Sequence, residues 1–452
     1  MMKHLIFSIL VITVLVTQQA LLADDKCFVQ GSPSPADVNR LYVRGTDNHI
    51  REWRKNGEEG WKARDLPMYQ DSKEIMSDPL YFKIIQSKET EEHLVARGRE
   101  GHLWEWQRRY SSEDKWVQED LTDETEGKPV IAGTPSRVSN GILERTVAVD
   151  QRQFFFATPT PENHLLSWSL KRCPKIYFPY FYDDDCRDNS FEVNELTTGQ
   201  TSAGNAFVVS RSDNKDILLT RSREGHLLMG RQDENFFDIT KAVGQQTIVG
   251  DPTGYYDPNG QLLIVSARGS NNHLLVWYSE NETDWTELDL TMAAGDKTIA
   301  GDPIFYVWKD QNDPARTIYN VLARGNDDHL LKWSVGNTCS TSEKTGELEW
   351  SDLTEKYGGR LIKGEPAAIA SEQQEIPEKN TSCPTEKIFV TDQNNHLLEW
   401  QRQWAIEPVT QKTVDYWQVT DLTEYCLKGT QNEPVKCNEW MNFLGFGSCV
   451  ND

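Results

Sequence analysis

The chain has 452 residues, with 47 Lys and Arg against 70 Asp and Glu and a formal net charge of -23. So acidic a surface repels phosphate backbones and anionic lipid, which sets aside a nucleic-acid partner. Length alone admits either a few ordinary domains or one large repetitive architecture.

Lys3 and His4 precede a mostly apolar run from Leu5 to Val16, followed by Gln18-Gln19 and the small residue Ala23. This is the layout of a secretory signal peptide, assigned to residues 1–23. No later stretch approaches about 18 consecutive apolar residues, so no membrane insertion is expected and the mature chain should be secreted and extracellular. Eight cysteines, at 27, 173, 186, 339, 383, 426, 437 and 449, fit an oxidising compartment. Local pairing would join Cys173 to Cys186 and Cys426 to Cys437, leaving Cys339 with Cys383 and Cys27 with Cys449, one of about 105 connectivities. Asn281 and Asn380 head N-glycosylation sequons, so a glycoprotein is expected.

One line then recurs in chain order: RGTDNHIREW ending at Trp53, RGREGHLWEW at Trp106, ENHLLSW at Trp168, REGHLLMG at Gly230, RGSNNHLLVW at Trp277, RGNDDHLLKW at Trp333 and QNNHLLEW at Trp400. Its histidines, His49, His102, His164, His226, His273, His329 and His396, leave only His4 and His93 elsewhere. A second line follows each copy, for example Trp285 with Asp289-Leu290-Thr291 and Trp350 with Asp352-Leu353-Thr354. A third, GDP or a variant, opens units at Gly133, Gly250, Gly301 and Gly364.

The unit from Gly301 shows the grammar. Apolar runs at 304–308, 317–324 and 329–334, then Trp350 to Thr354, are divided by Gly, Asn and Asp, which reads as four antiparallel strands. A sheet of this kind cannot cover both of its faces alone, and the histidines recur every 47 to 67 residues. The expected fold is therefore all-β, a seven-bladed β-propeller of four-stranded antiparallel blades over residues 24–430. The first copy is short on its leading side, so residues 431–452 are expected to complete its blade and close the ring, pinned by Cys27–Cys449.

Arginine stands five residues before the motif histidine in five copies, with Pro159 and Thr391 in the third and seventh. A pyranose offers an apolar face that stacks on an indole and edge hydroxyls that both donate and accept. The pairs Arg44 and Trp53, Arg97 and Trp106, Arg268 and Trp277, and Arg324 and Trp333 are accordingly the candidate carbohydrate-binding residues, and repetition around a ring would give avidity. The competing readings are architectural: the tryptophans as core between blades, each histidine bonding a neighbouring Asp to fix its hairpin, and the arginines paired with the aspartates.

The units, with ARGSNNHLLVW, the following W-x-x-x-DLT and the GDP opening, resemble those of the seven-bladed propeller lectins of the Photorhabdus type, and more distantly fungal six-bladed fucose lectins. The resemblance implies a lectin with sites at or between blades for fucose-containing glycans or glycoproteins. The alternatives are a secreted protein-interaction scaffold and, third, a propeller glycosidase or lyase. No GxSxG, HExxH or P-loop occurs and the chemistry is spread over all copies, so no enzyme, cofactor or metal is expected. Asp183, Asp184 and Asp185 in YFPYFYDDDCR lack the spacing of a calcium loop. Oligomeric state is open.

Overall fold

The computed structural model describes residues 27–428 apart from 58–59, 67–73, 86–89, 110–115, 125–128, 139–143, 147–152, 172–189, 196–201, 212–215, 232–234, 245, 258–260, 310–316, 337–347, 377–380 and 407–412. The signal peptide, residues 431–452, Asp183 to Asp185, Asn380 and the pairings Cys173–Cys186 and Cys339–Cys383 lie outside the described residues.

The fold is an all-β propeller of small antiparallel sheets. Six sheets contain complete four-stranded meanders, spanning residues 29–65, 80–120, 207–238, 253–289, 304–352 and 367–421. In the third unit Gln153–Pro159, Leu165–Lys171 and Ser190–Glu195 make a three-stranded sheet. The expectation of seven four-stranded blades is thus corrected to six. The segment meant to supply the third unit's first strand pairs elsewhere: Arg137–Val138 runs parallel to Phe207 and Val208, and Glu144–Thr146 runs parallel to 83–85. Only the start of that segment stays with its own unit, through Ala132 N–H to the Pro159 carbonyl and Ser136 N–H to the Ala157 carbonyl, both at 2.8 Å, among the described residues.

Alternation along each strand sends one set of side chains to each neighbouring sheet. Each apolar cluster therefore spans two successive sheets: Val209, Leu219 and Ile239 meet Leu263, Val265 and Trp277 in one, and Ile264, Val276 and Leu290 meet Phe305, Val321 and Trp333 in the next. One cluster joins the last sheet to the first, with Phe389 and Leu397 against Val29, Leu41 and Trp53. First strands line an axial cavity of ≈ 700 Å³, open to solvent, walled by Pro33, Pro79, Pro135, Thr253, Tyr306 and Pro366.

The seam departs from the sequence reading. Val29–Asp37 is itself the first sheet's inner strand, so that sheet draws all four strands from residues 29–65. Cys27 is bonded to Cys426, with Cα atoms 5.7 Å apart, and not to Cys449. This also excludes Cys426–Cys437. The reason is packing: the terminal helix Leu422–Lys428 lies against the first sheet's last strand and brings Cys426 to the start of the inner strand.

Candidate functional site

The recurrent hairpin positions the site. In all seven copies the residue before the histidine has positive φ: Asn48 (63°), Gly101 (80°), Asn163 (67°), Gly225 (82°), Asn272 (64°), Asp328 (61°) and Asn395 (66°). Only Gly and, at lower cost, Asn or Asp enter that region readily, which explains the choice of residue there. Its carbonyl accepts the amide of the connector that leads to the next unit, from Ile75 to Asn48, Ile131 to Gly101, Ile248 to Gly225, Ile299 to Asn272 and Ile362 to Asp328, all at 2.7 to 2.8 Å. Ser202 bonds Asn163 in the same way, and at the seam Val29 bonds Asn395 at 2.9 Å.

The histidines are architectural. Nδ1 meets the aspartate of the DLT line at 2.6 Å for His102 and Asp120, 2.8 Å for His226 and Asp238, 2.6 Å for His273 and Asp289, 2.8 Å for His329 and Asp352, and 2.6 Å for His396 and Asp421. The other carboxylate oxygen of Asp238, Asp289 and Asp352 accepts a backbone N–H and so caps a short helix. The following threonine completes the lock, its hydroxyl accepting the amide just after the histidine, as in Leu274 N–H to Thr291 at 2.8 Å. In the first unit His49 instead faces Asp47 at 3.4 Å while Asp65 faces Arg51 at 3.3 Å.

The arginines reach the junction between units. Arg44, Arg268 and Arg324 donate to the side chain of their own left-handed residue, Asn48 (3.4 Å), Asn272 (3.2 Å) and Asp328 (2.7 Å). The same guanidinium faces the acid of the next unit's opening, with Arg44 3.7 Å from Asp78 and Arg268 3.9 Å from Asp302. Where the left-handed residue is glycine, the arginine turns to main chain: Arg97 Nε donates to the Gly133 carbonyl at 3.1 Å and Arg221 to that of Ala203 at 2.9 Å. The opening acids nest over the preceding opening glycine. A Cβ on Gly31 would lie 1.8 Å from Asp78 Oδ1, on Gly204 2.0 Å from Asp251 and on Gly250 2.4 Å from Asp302, so no side chain fits there. Burial, then the neighbouring Asp302, push the Asp251 carboxyl up to about 6 against the pull of Asn205 and Arg221.

Two properties make this junction a candidate binding site. The Arg44, Arg268 and Arg324 side chains stay about one-fifth exposed. The Nε–H groups of Arg44, Arg221, Arg268 and Arg324 are buried without an acceptor among the described residues. A buried donor left unpaired costs about 1–3 kcal/mol, which an incoming oxygen would recover.

The predicted indoles go elsewhere. Trp53, Trp277 and Trp333 are 0 to 1% exposed and Trp106 2%. They are core between sheets and offer no open face, which corrects their assignment as stacking platforms. The structure therefore brings Arg44, Arg97, Arg268 and Arg324 to the junctions and leaves out the four tryptophans paired with them. In the fourth unit, where glycine replaces the tryptophan, the Phe236 ring comes within 2.6 Å of the place a Cβ of Gly230 would take. Trp104, stacked on His102 at 6.3 Å, is partly exposed, and its indole fits because residue 98 is glycine; Trp350 and Phe237 are exposed as well. Asp78, Asp302 and the left-handed Asn and Asp residues were missed as site members, although the repeated opening and turn lines carry them.

Among the described residues no helix is long and apolar enough to cross a membrane. Asn281 is exposed on a turn, its side-chain carbonyl accepting the amide of Asp284 at 2.8 Å. No protein-family model matches the sequence, and no curated protein is similar to it. Solved structures similar to the chain include lectins, one of them a six-bladed β-propeller, and Prp20p from Saccharomyces cerevisiae. A mutant of the Aleuria aurantia lectin in complex with alpha-methyl-L-fucoside is 10% identical, covers 88% of this chain and 96% of its own, with a TM-score of 0.40. AofleA from Arthrobotrys oligospora is 10% identical over 76% of this chain and 87% of its own, with a TM-score of 0.41. A fucose lectin from Kordia zhangzhouensis is 18% identical over 32% of this chain and 97% of its own, with a TM-score of 0.24.

Proposed function

We propose that the protein is a secreted, multivalent carbohydrate-binding propeller, a lectin for fucose-containing glycans, with its ligand seats in the junctions between units. The observation that carries it is the recurrent guanidinium with an unused Nε–H, set beside an amide or carboxylate acceptor. A sugar hydroxyl is at once donor and acceptor, so such a donor and acceptor side by side match it, whereas a phosphate or carboxylate ligand would be repelled by the opening acids. Seats of this kind are expected at Arg44, Arg268 and Arg324; at the Arg97 junction, where Nε–H already donates to Gly133, the partly exposed Trp104 is the added feature.

A single seat of this kind binds weakly, and several on one ring bind a dense glycan surface far more tightly. The test is a glycan array probed with purified mature protein, with free L-fucose as competitor. Fucosylated glycans should retain the protein, and the double variant Arg268→Ala, Arg324→Ala should lose roughly tenfold or more in avidity while keeping its circular dichroism. Absence of binding to any glycan at high density would overturn the reading.

A further inference from the structure

The seam differs from every other junction in one respect: among the described residues no peptide segment crosses it. Elsewhere a peptide connector runs from the threonine of the DLT line to the residue that bonds the hairpin, eight residues on from Thr240 to Ile248, Thr291 to Ile299 and Thr354 to Ile362. At the seam the disulfide leaves the helix Leu422–Lys428 at Cys426 and crosses to Cys27, and Val29 follows two residues later. Val29 then does what Ile299 and Ile362 do. Its amide bonds the left-handed residue of the preceding hairpin, Asn395, and it pairs with Gly45 of its own unit as Ile299 pairs with Gly325. Gly31-Ser32-Pro33 stands where other units have Gly-Asp-Pro, and the Gly31 carbonyl accepts the Thr391 hydroxyl at 2.8 Å. Thr423 Oγ1 donates to the Cys27 carbonyl at 3.3 Å, so both sides of the disulfide are seated in the connector's place.

We propose that Cys27–Cys426 is the covalent connector of the last junction and that a dithiol opens the ring there and nowhere else. Cys27 is 4% exposed and Cys426 half-buried, so a thiolate attacks the Cys426 sulfur. The Cys27 sulfur leaves as thiolate and takes a proton. The reductant's second thiol then displaces Cys426, which takes the second proton, and the two electrons come from the dithiol, which closes to a cyclic disulfide.

Beyond its ladder with Arg40–Gly45, what then ties strand 29–37 to the rest of the ring is a short set of bonds: Val29 to Asn395, Thr391 to Gly31, Lys387 Nζ to the Val38 carbonyl, Ser32 N–H to Asp78 and Tyr81 N–H to Ser34. That strand is therefore the part that loosens first on reduction. It also carries Gln30, whose amide donates to Asn48 at 2.7 Å, so the Arg44 junction is the one affected.

The experiment is hydrogen exchange read by mass spectrometry on the full chain, with and without dithiothreitol in native buffer and on Cys27→Ser and Cys426→Ser variants. Amides of residues 28–37 should exchange at least roughly tenfold faster when the bond is absent, with peptides from 253–289 unchanged. Unchanged protection at 28–37, or equal loss across all sheets, would overturn the proposal. Should either variant fail to fold, reduction of the folded wild-type chain gives the same readout. No ligand is needed, so failure here is separate from failure of the lectin reading.

Discussion

Between the sixth and seventh units Glu386 is fully buried and accepts from Arg402 at 2.7 Å, from Tyr306 at 2.8 Å and from Lys332. Burial would raise its pKa, but Lys332 and Arg402 outweigh this and hold the carboxyl down at about 2. Lys332 fares worse: burial, which one carboxylate shared with Arg402 does not offset, pushes its ammonium down to about 8. Each tenfold change in a protonation equilibrium is ~1.4 kcal/mol, so the carboxylate contributes and the lysine costs amounts of similar size, roughly 3 kcal/mol each at pH 7. The carboxylate's contribution is present above its ordinary range near 4.5 and is lost as pH falls through about 2. The lysine's cost is present below about 8 and is relieved as pH rises towards 10.5.

Units four and five place Met229 and Val276 where unit six has Lys332, so an apolar side chain suits this slot. Glu386→Gln strands two buried cations and should lower the unfolding free energy by about 3–5 kcal/mol. Lys332→Met should be neutral or stabilising by up to about 3 kcal/mol. Urea denaturation of both variants at pH 7 measures the difference, and Lys332→Met costing as much as Glu386→Gln would refute the reasoning.

Asp289→Ala removes a helix cap and the His273 bond together and should cost about 1–2 kcal/mol by the same assay, with Asp289→Asn recovering part. Trp277→Ala should cost about 3–5 kcal/mol through the cavity it leaves, while the fraction that stays folded keeps its glycan affinity, as befits a core residue. Burial would lower the pKa of His93, but Glu105 at 2.7 Å and Glu91 outweigh it and raise it to about 9. Its stabilisation is full below the ordinary value near 6.5 and is lost as pH rises through about 9, so unfolding free energy should fall across that window and stay flatter in His93→Gln.

Much of the architecture is legible because one turn demands one backbone conformation: the Gly, Asn or Asp before each histidine marks a hairpin, and the DLT line marks its cap. The indoles misled because a tryptophan at a repeated strand position looks the same in sequence whether it faces solvent or the adjoining sheet, and the adjoining sheet is chosen only when the ring assembles. The first unit's opening went unseen because Ser32 stands where the second, fifth, sixth and seventh units have an acid and because the opening lies only four residues after Cys27. The bond from Cys27 to Cys426 brings together residues 399 apart in sequence, beyond what local spacing can suggest. The third unit's missing strand has the same character, since Arg137–Val138 matches its own unit by position and the next by pairing.

The carbonyl that grips each connector belongs to the main chain, as does the amide it receives. Substitutions in the neighbouring arginine or opening acid thus leave the grip intact, and each crevice is at liberty to diverge there by mutation without loosening its neighbours. On the proposed lectin reading, a molecule assembled on this plan would suit a mixed coat of different sugars in place of many copies of one.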